Sequence, residues 1–327
     1  MAFRTIIDTD PGIDDALALL LALRSPELRV EAVTTVCGNV GVGLTTRNAL
    51  RVLEIAAPGA PPVLARGADR PLARPHRAAA HVHGEDGLGN LHLRLRPDGA
   101  PHYREPRGHP APIPAHELLL DAARRAPGVF TLITLGPLTN VALALRQDAA
   151  AMRGYRRLVV MGGAAAVPGN VSPVAEFNVW ADPEAAQAVL ESGLPITLVG
   201  LDVTQQVRLL PEVIAARFSP RGTPASRLVC DMAPIILDFC RRAGRPPGIT
   251  LHDPLAVAVA CDPTLVRTER RPIRVEARGE HTAGMTVVDR RPLAGEAGAE
   301  EGPVVDVALA VDAGRALTMI VDRLTSP

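Results

Sequence analysis

Short, almost unbroken apolar runs alternate along the chain with longer segments whose apolar residues recur every third or fourth position. The first kind reads as strand and the second as helix. RTIIDTD (4–10) is a strand and DDALALLLALRS (14–25) a helix; LRVEAVTTVCG (28–38) is a strand and VGLTTRNALRVLEIAA (42–57) a helix. The pairs continue with the helix AHELLLDAARRAP (115–127), the strand VFTLITLG (129–136), the helix PLTNVALALRQD (137–148) and the strand YRRLVVMGG (155–163). DPEAAQAVLESG (182–193) is a helix and LPITLVGLDVT (194–204) a strand. Beyond residue 265, PIRVEARG (272–279) and GMTVVDRR (284–291) read as strands and AGRALTMIVDRLTS (313–326) as a closing helix.

Strands that are apolar along their whole length suit a mostly parallel sheet covered on both faces. Their alternation with helices predicts an α/β fold, a Rossmann-like central sheet flanked by helices. No internal repeat or linker divides the chain, so 1–327 reads as one domain. Two stretches break the rhythm, 66–115 and 241–250, both rich in Arg, Pro and Gly. Such loops in a compact domain are expected to be mobile lids.

Composition narrows the class. With 47% hydrophobic residues the chain is globular, and with 35 basic and 35 acidic residues it offers no charge excess for nucleic acid or an anionic membrane. Every one of the 35 basic residues is Arg, which matches the abundance of Ala, Gly and Pro as a GC-rich coding bias. Cys37, Cys230, Cys240 and Cys261 form no C-x-x-C pair and no Cys/His ligand spacing, so they read as reduced thiols. The N-terminus lacks a basic segment followed by an apolar one, and LALLLAL is too short to cross a bilayer. A reduced, cytoplasmic location is therefore expected.

The candidate chemistry begins where the first strand hands over to the first helix. Asp8, Asp10, Asp14 and Asp15 crowd into eight positions around the Pro11–Gly12 turn. Helix capping explains one or two of them, because the dipole of a helix N-terminus favours negative charge. Four close carboxylates are costly unless a hard divalent cation offsets them. Two chemistries fit D-x-D at a strand end. A haloacid-dehalogenase-type phosphatase wants D-x-D-x-[TV] and a later Lys; here Gly12 stands at the Thr/Val position and the chain has no Lys. The alternative is a metal that positions and acidifies a water. More oxygen donors follow at later strand ends: Asn39, the Leu135 carbonyl, Asn170, Glu176 and Asn178, then His252 and Asp253. Asn178 and Asp182 also suit helix caps, and Asp253 before Pro254 suits an N-cap.

Taken together, DTDPGIDDALAL, TTVCGN, HVHGEDGLGN, TLGPLTN, VVMGG, VAEFN, WADPEAA, VGLDVT and HDPLAVA resemble the inosine-uridine-preferring nucleoside hydrolase family, in order from residue 5 to about 265. The resemblance implies the nucleoside hydrolase fold and Ca²⁺-dependent hydrolysis of the N-glycosidic bond of purine or pyrimidine ribonucleosides. It implies a Ca²⁺ held by Asp10, Asp15, the Leu135 carbonyl and Asp253, its shell completed by water and the ribose 2′- and 3′-hydroxyls. Members often carry Thr at the Leu135 position, a change that a main-chain ligand tolerates. Asp10 would be the general base; Asp14, Asn39, Asn170, Glu176, Asn178 and the backbone around Met161 would bind the ribose. His83 belongs to a loop over the base, with His81 a weaker candidate, and His252, beside a proposed ligand, would protonate the leaving base. Purine-preferring members place tyrosines over the base, whereas CDMAPIILDFCRRAGRPPG (230–248) offers Phe239 and no Tyr, which points to pyrimidine or mixed ribosides. A homodimer or homotetramer is expected. The rival functions are a metal-dependent phosphatase and a riboside-binding protein that has lost catalysis.

Overall fold

The computed structural model describes residues 2–57, 59–291 and 302–326. Its strands are β1 (Phe3–Thr9), β2 (Leu28–Thr35), β3 (Val63–Arg66), β4 (Thr131–Thr134), β5 (Arg157–Met161), β6 (Ile196–Val199), β7 (Arg208–Leu209), β8 (Ile249–Thr250), β9 (Val266–Glu276), β10 (Met285–Val288) and β11 (Val304–Val311). The helices are α1 (Ile13–Leu23), α2 (Val42–Ala56), α3 (Ala80–His83), α4 (Ala115–Arg125), α5 (Thr139–Met152), α6 (Phe177–Ala181), α7 (Pro183–Leu190), α8 (Leu201–Thr204), α9 (Pro211–Val213), α10 (Pro224–Arg242), α11 (His252–Cys261) and α12 (Ala313–Thr325).

Nine strands form one sheet in the order β10-β9-β11-β6-β5-β4-β1-β2-β3. From β3 to β11 every pairing is parallel; β9 runs antiparallel to β11, and β10 antiparallel to β9. The chain starts in the middle with β1, winds outward through β2 and β3, then crosses back to lay β4 on the other side of β1. That reversal opens a crevice beyond the carboxyl ends of β1 and β4, where ligands bind in open α/β sheets. Asp8 pairs in register with Thr34 of β2 and Thr134 of β4, so the aspartate turn leaves the sheet at this crevice.

Alternate residues of β1 face the two halves of the core. Ile7 packs with α1, α10, α11 and α12, while Ile6 packs with α4, α5 and α7. From Ile13 to Ala22 every residue of α1 is buried, because the helix is wedged between α2, α11, α12 and the sheet. A helix enclosed on all sides carries apolar residues on all sides, which accounts for the unbroken LALLLAL.

Some boundaries differ from the pattern reading. LPITLVGLDVT is not one strand: β6 ends at Val199 and the chain turns at Gly200 into α8. A Cβ on Gly200 would stand 2.8 Å from the Gly163 carbonyl, so the turn packs too closely for any other residue. Four strands, β3, β7, β8 and β11, are additional to those expected; β7 and β8 pair apart from the main sheet, and β11 lies inside it between β6 and β9. Asp182 does cap α7, accepting from Ala185 N at 3.1 Å, but Asp253 is no cap, since α11 already begins at His252. The irregular 66–115 stretch is tied down at several points, among them Tyr103 Oη donating to Asp231 at 2.8 Å and Gly108 N donating to Glu54 at 2.8 Å.

Candidate active site

The floor of the crevice is built by the aspartate turn. Asp10 is 1% exposed and clasped by two backbones: a Cβ on Gly38 would lie 2.0 Å from its Oδ2, and one on Gly136 2.4 Å from its Oδ1. Asn39 N donates to Asp10 Oδ2 at 2.6 Å, while Oδ1 is buried and, among the described residues, has no hydrogen-bond partner. Asp15, in the first turn of α1, accepts from Thr9 Oγ1 at 2.5 Å, from Gly12 N at 2.9 Å and from Asn39 Nδ2 at 3.1 Å. Carboxylate oxygens of Asp14, Asp15 and Asp253 all lie within 4.8 Å of one another. The first two sit at the N-terminus of α1 and the third in the first turn of α11, so two helix dipoles converge on them. Asp8, the remaining acid of the cluster, turns to the other face of β1, where Thr34 Oγ1 and Asn140 Nδ2 donate to its Oδ1.

Burial pushes Asp10 and Asp253 well above the usual carboxylate range, and the neighbouring aspartates push both further. Burial and Asp15 together bring Asp14 up to about 8, and burial raises Asp15 despite its hydrogen bonds. Such a cluster resists full ionisation unless a cation joins it. The donors are all oxygen, and the unpartnered Oδ1 of Asp10 is a free ligand or proton acceptor beside the three clustered acids. This set fits a hard divalent cation and not a soft one. The Leu135 carbonyl stands at the end of β4, where Asn178 Nδ2 donates to it at 2.7 Å and to the Met161 carbonyl at 3.2 Å.

Above this floor lies a cavity of about 690 Å³. His83, on the single turn of α3, accepts from Ile13 N at 3.1 Å through Nδ1, which leaves its proton on Nε2. Burial, then His252 and His81, hold its pKa down near about 3. Glu176 caps α6: Oε1 accepts from Asn178 N at 2.9 Å, and Oε2 from Gly163 N at 3.0 Å and Val179 N at 3.2 Å. Burial still raises it to about 7. Asn170 Oδ1 accepts from Phe177 N at 3.0 Å, which fixes the loop that carries it. On the opposite wall Phe239 meets the His81 ring edge-on at 5.9 Å, and the Arg245 guanidinium lies 5.5 Å from its centroid. His252 Nδ1 is 2.8 Å from Thr204 Oγ1, and burial lowers its pKa to about 4.

The cavity gathers Asp14, Asn39, His83, Leu135, Met161, Asn170, Glu176, Asn178, Phe239, His252 and Asp253 from nine separate segments of sequence, with Asp10 and Asp15 adjoining beneath. Asp14, read from the sequence as a ribose contact, is a member of the carboxylate trio, and Asp10 stands beside that trio and not inside it. The walls also contain Trp180, Gln205, Arg208 and Arg245, which sequence reasoning passed over. Trp180 lies in the WADPEAA motif; Gln205 and Arg245 stand in loops and Arg208 opens the short β7, where nothing local marks them.

A family model described as inosine-uridine preferring nucleoside hydrolase matches residues 5–318. A non-specific ribonucleoside hydrolase of Salmonella enteritidis PT4 is 42% identical over 310 residues, covering 95% of this chain and 94% of the relative. Among solved structures, a plant nucleoside hydrolase superposes with a TM-score of 0.91 at 33% identity, covering all (100%) of both chains. A purine-preferring ribonucleoside hydrolase from Gardnerella vaginalis gives 0.88 at 30% identity over 98% of each.

Proposed function

The chain belongs to the inosine-uridine preferring nucleoside hydrolase family, whose enzymes cleave the N-glycosidic bond of ribonucleosides, and from that premise we propose a calcium-dependent hydrolase of purine and pyrimidine ribonucleosides with Asp10 as base and His252 as acid. The observation that carries this reading is the buried convergence of Asp14, Asp15 and Asp253 beside the unpartnered oxygen of Asp10. Asp10, Asp15, the Leu135 carbonyl and Asp253 would hold the ion. When bound, Ca²⁺ neutralises these acids, helps orient the ribose diol and lowers the pKa of water.

The protein's own groups supply the remaining steps. Asp14, Asn39 and Asn178 line the cavity next to the acids and hold ribose hydroxyls; Asn170 and Glu176, on the same wall as Met161, hold the rest of the sugar. As the C1′–N bond lengthens, positive charge grows on the ribose, and the surrounding carboxylates stabilise it. Asp10 Oδ1 takes a proton from the water that bonds to C1′. The electrons of the breaking bond go to the base, and His252 delivers a proton to its ring. His83 and Phe239 bound the base side.

Neither Tyr103 nor Tyr155 lines the cavity, and among the described residues its aromatic lining of Phe177, Trp180 and Phe239 carries no tyrosine, which suits mixed base preference. The phosphatase reading loses ground at Gly12: a Cβ there would lie 2.6 Å from His83 Nδ1 and 2.7 Å from Asn39 Nδ2, leaving no room for Thr or Val. Four free thiols agree with a reducing compartment, and among the described residues no helix is long and apolar enough to cross a membrane. A cytoplasmic homodimer or homotetramer, with the 66–115 and 241–250 loops closing over the base, completes the proposal.

The test is His252→Ala on two leaving groups. Natural nucleosides are expected to slow by about 10²–10⁴-fold, the usual worth of a positioned proton donor. A p-nitrophenyl riboside, whose leaving group departs unprotonated, is expected to react almost as before. Equal losses on both would remove His252 from the acid role, and preserved activity on both would transfer it to His83 or a water.

A further inference from the structure

Asn140 ends the TLGPLTN motif, of which the mechanism so far uses only the Leu135 carbonyl. The residue is fully buried in the first turn of α5. Its side-chain amide bonds to three other segments at the carboxyl end of the sheet. Nδ2 donates to Asp8 Oδ1 of β1 at 2.7 Å and to the carbonyl of Thr35, the last residue of β2, at 3.0 Å. Oδ1 accepts from Ala68 N, just past β3, at 2.9 Å. The Ala68 carbonyl in turn accepts from Cys37 N at 3.0 Å. The Thr35 carbonyl can only accept and Ala68 N can only donate, so these partners fix which end of the amide is which. A Cβ on Gly67 would stand 2.3 Å from both Asn140 Oδ1 and the Thr35 carbonyl, so glycine there makes room for the amide.

The segments that Asn140 ties together are the ones that enclose Asp10. The Asp10 carboxylate sits between Gly38, in the turn after β2, and Gly136, in the turn after β4. A Cβ on Gly38 would also lie 2.9 Å from Pro137 Cδ, so the two turns touch. Asn39 N, which orients Asp10 through Oδ2, belongs to the first of them. We propose that Asn140 is the positioning residue of Asp10: one buried amide sets the spacing of the turns after β2, β3 and β4, and with it the direction in which the Asp10 carboxylate faces ion and water. Without the amide, Asp8, the Thr35 carbonyl and Ala68 N each lose a buried partner, a cost the turns can relieve only by moving. A shift of about 1 Å in a reacting group can slow a reaction about 10²-fold.

This inference rests on the reading of Asp10 as base and ligand, and the experiment separates the two. Asn140→Ala, Gly67→Ala and a core control in α12, Ile320→Ala, are made in wild-type and Asp10→Asn backgrounds. Thermal unfolding reports the fold, calorimetric titration of the stripped protein gives the Kd for Ca²⁺, and uridine turnover is followed at saturating Ca²⁺. Asn140→Ala is expected to weaken Ca²⁺ binding about tenfold and to lower kcat about 10–10²-fold, with KM within about threefold. Gly67→Ala is expected to act in the same direction on both readouts. Ile320→Ala is expected to lower the unfolding temperature yet keep Kd and kcat within about twofold. In the Asp10→Asn background, Asn140→Ala is expected to cost less than about twofold more in kcat, because the group it positions no longer takes the proton. Wild-type Kd and kcat in a folded Asn140→Ala or Gly67→Ala overturn the proposal. Losses that multiply in full in the Asp10→Asn background, or that Ile320→Ala reproduces, overturn it too. Should Asn140→Ala not fold, Gly67→Ala makes the same comparison. Asp10→Asn alone at the wild-type rate overturns the reading of Asp10 instead.

Discussion

Asp10→Asn, assayed at saturating Ca²⁺ because Asp10 is also a proposed ligand of the ion, is expected to lower kcat on ribonucleosides by at least about 10²–10⁴-fold with the fold intact, because it removes the proton acceptor. The amide is isosteric with the carboxylate, which matters where Gly38 and Gly136 leave no spare space around the side chain. Its oxygen can keep the bond from Asn39 N, now made by Oδ2 at 2.6 Å. What disappears is the basic lone pair at the buried, unpartnered Oδ1. The check is steady-state turnover alongside thermal unfolding of the calcium-loaded protein. A loss under about tenfold, equivalent to roughly 1.4 kcal/mol in the barrier, would show that another group takes the proton.

Stripping the metal is expected to have the other large effect: activity falls to background and returns on adding Ca²⁺. The stability readout is independent of turnover. A ligand that binds only the native state stabilises it by about 2.7 kcal/mol at a hundred times its Kd, so the unfolding temperature should climb with free Ca²⁺. The stripped protein should also respond to pH with a definite sign. Burial raises all four site acids above their ordinary values, Asp14 to about 8 from 3.8. Between those limits the native state holds more protons than the unfolded chain, so stability declines as pH rises through the window. Ca²⁺ should flatten that decline. Zinc found at one equivalent per chain, or full turnover after exhaustive chelation, would remove calcium from the account.

Much of the site was legible in sequence because its groups sit where an apolar strand stops. Asp10 and Asn39 are each within a few residues of a strand end, where a polar side chain has few purposes in a parallel sheet covered on both faces, and Leu135 and Met161 offer backbone carbonyls at the ends of β4 and β5. The aspartate turn was clearer still, since four acids in eight positions exceed what capping one helix requires. Other features depended on distant contacts. The break at Gly200 is set by the Gly163 carbonyl opposite, and V-x-L-x-V alternation around it imitates a longer strand. Pro254 suggested a helix opening at itself, yet α11 begins two residues earlier. That shift puts Asp253 in the first turn, aimed at Asp14 and Asp15 and not at its own backbone. The Thr204–His252 bond joins residues 48 apart, and Arg208 and Arg245 reach the cavity from opposite flanks of α10, so no local pattern announces them.

The most direct measurement is product analysis with a panel of purine and pyrimidine ribonucleosides and a parallel panel of phosphate esters, each run with Ca²⁺, after exhaustive chelation, and after Ca²⁺ is returned. Free ribose and free base should appear in equal amounts from both nucleoside classes, vanish with the chelator and reappear with calcium, while no phosphate is released. Phosphate release without ribose, or no product from any nucleoside under calcium, would contradict the account.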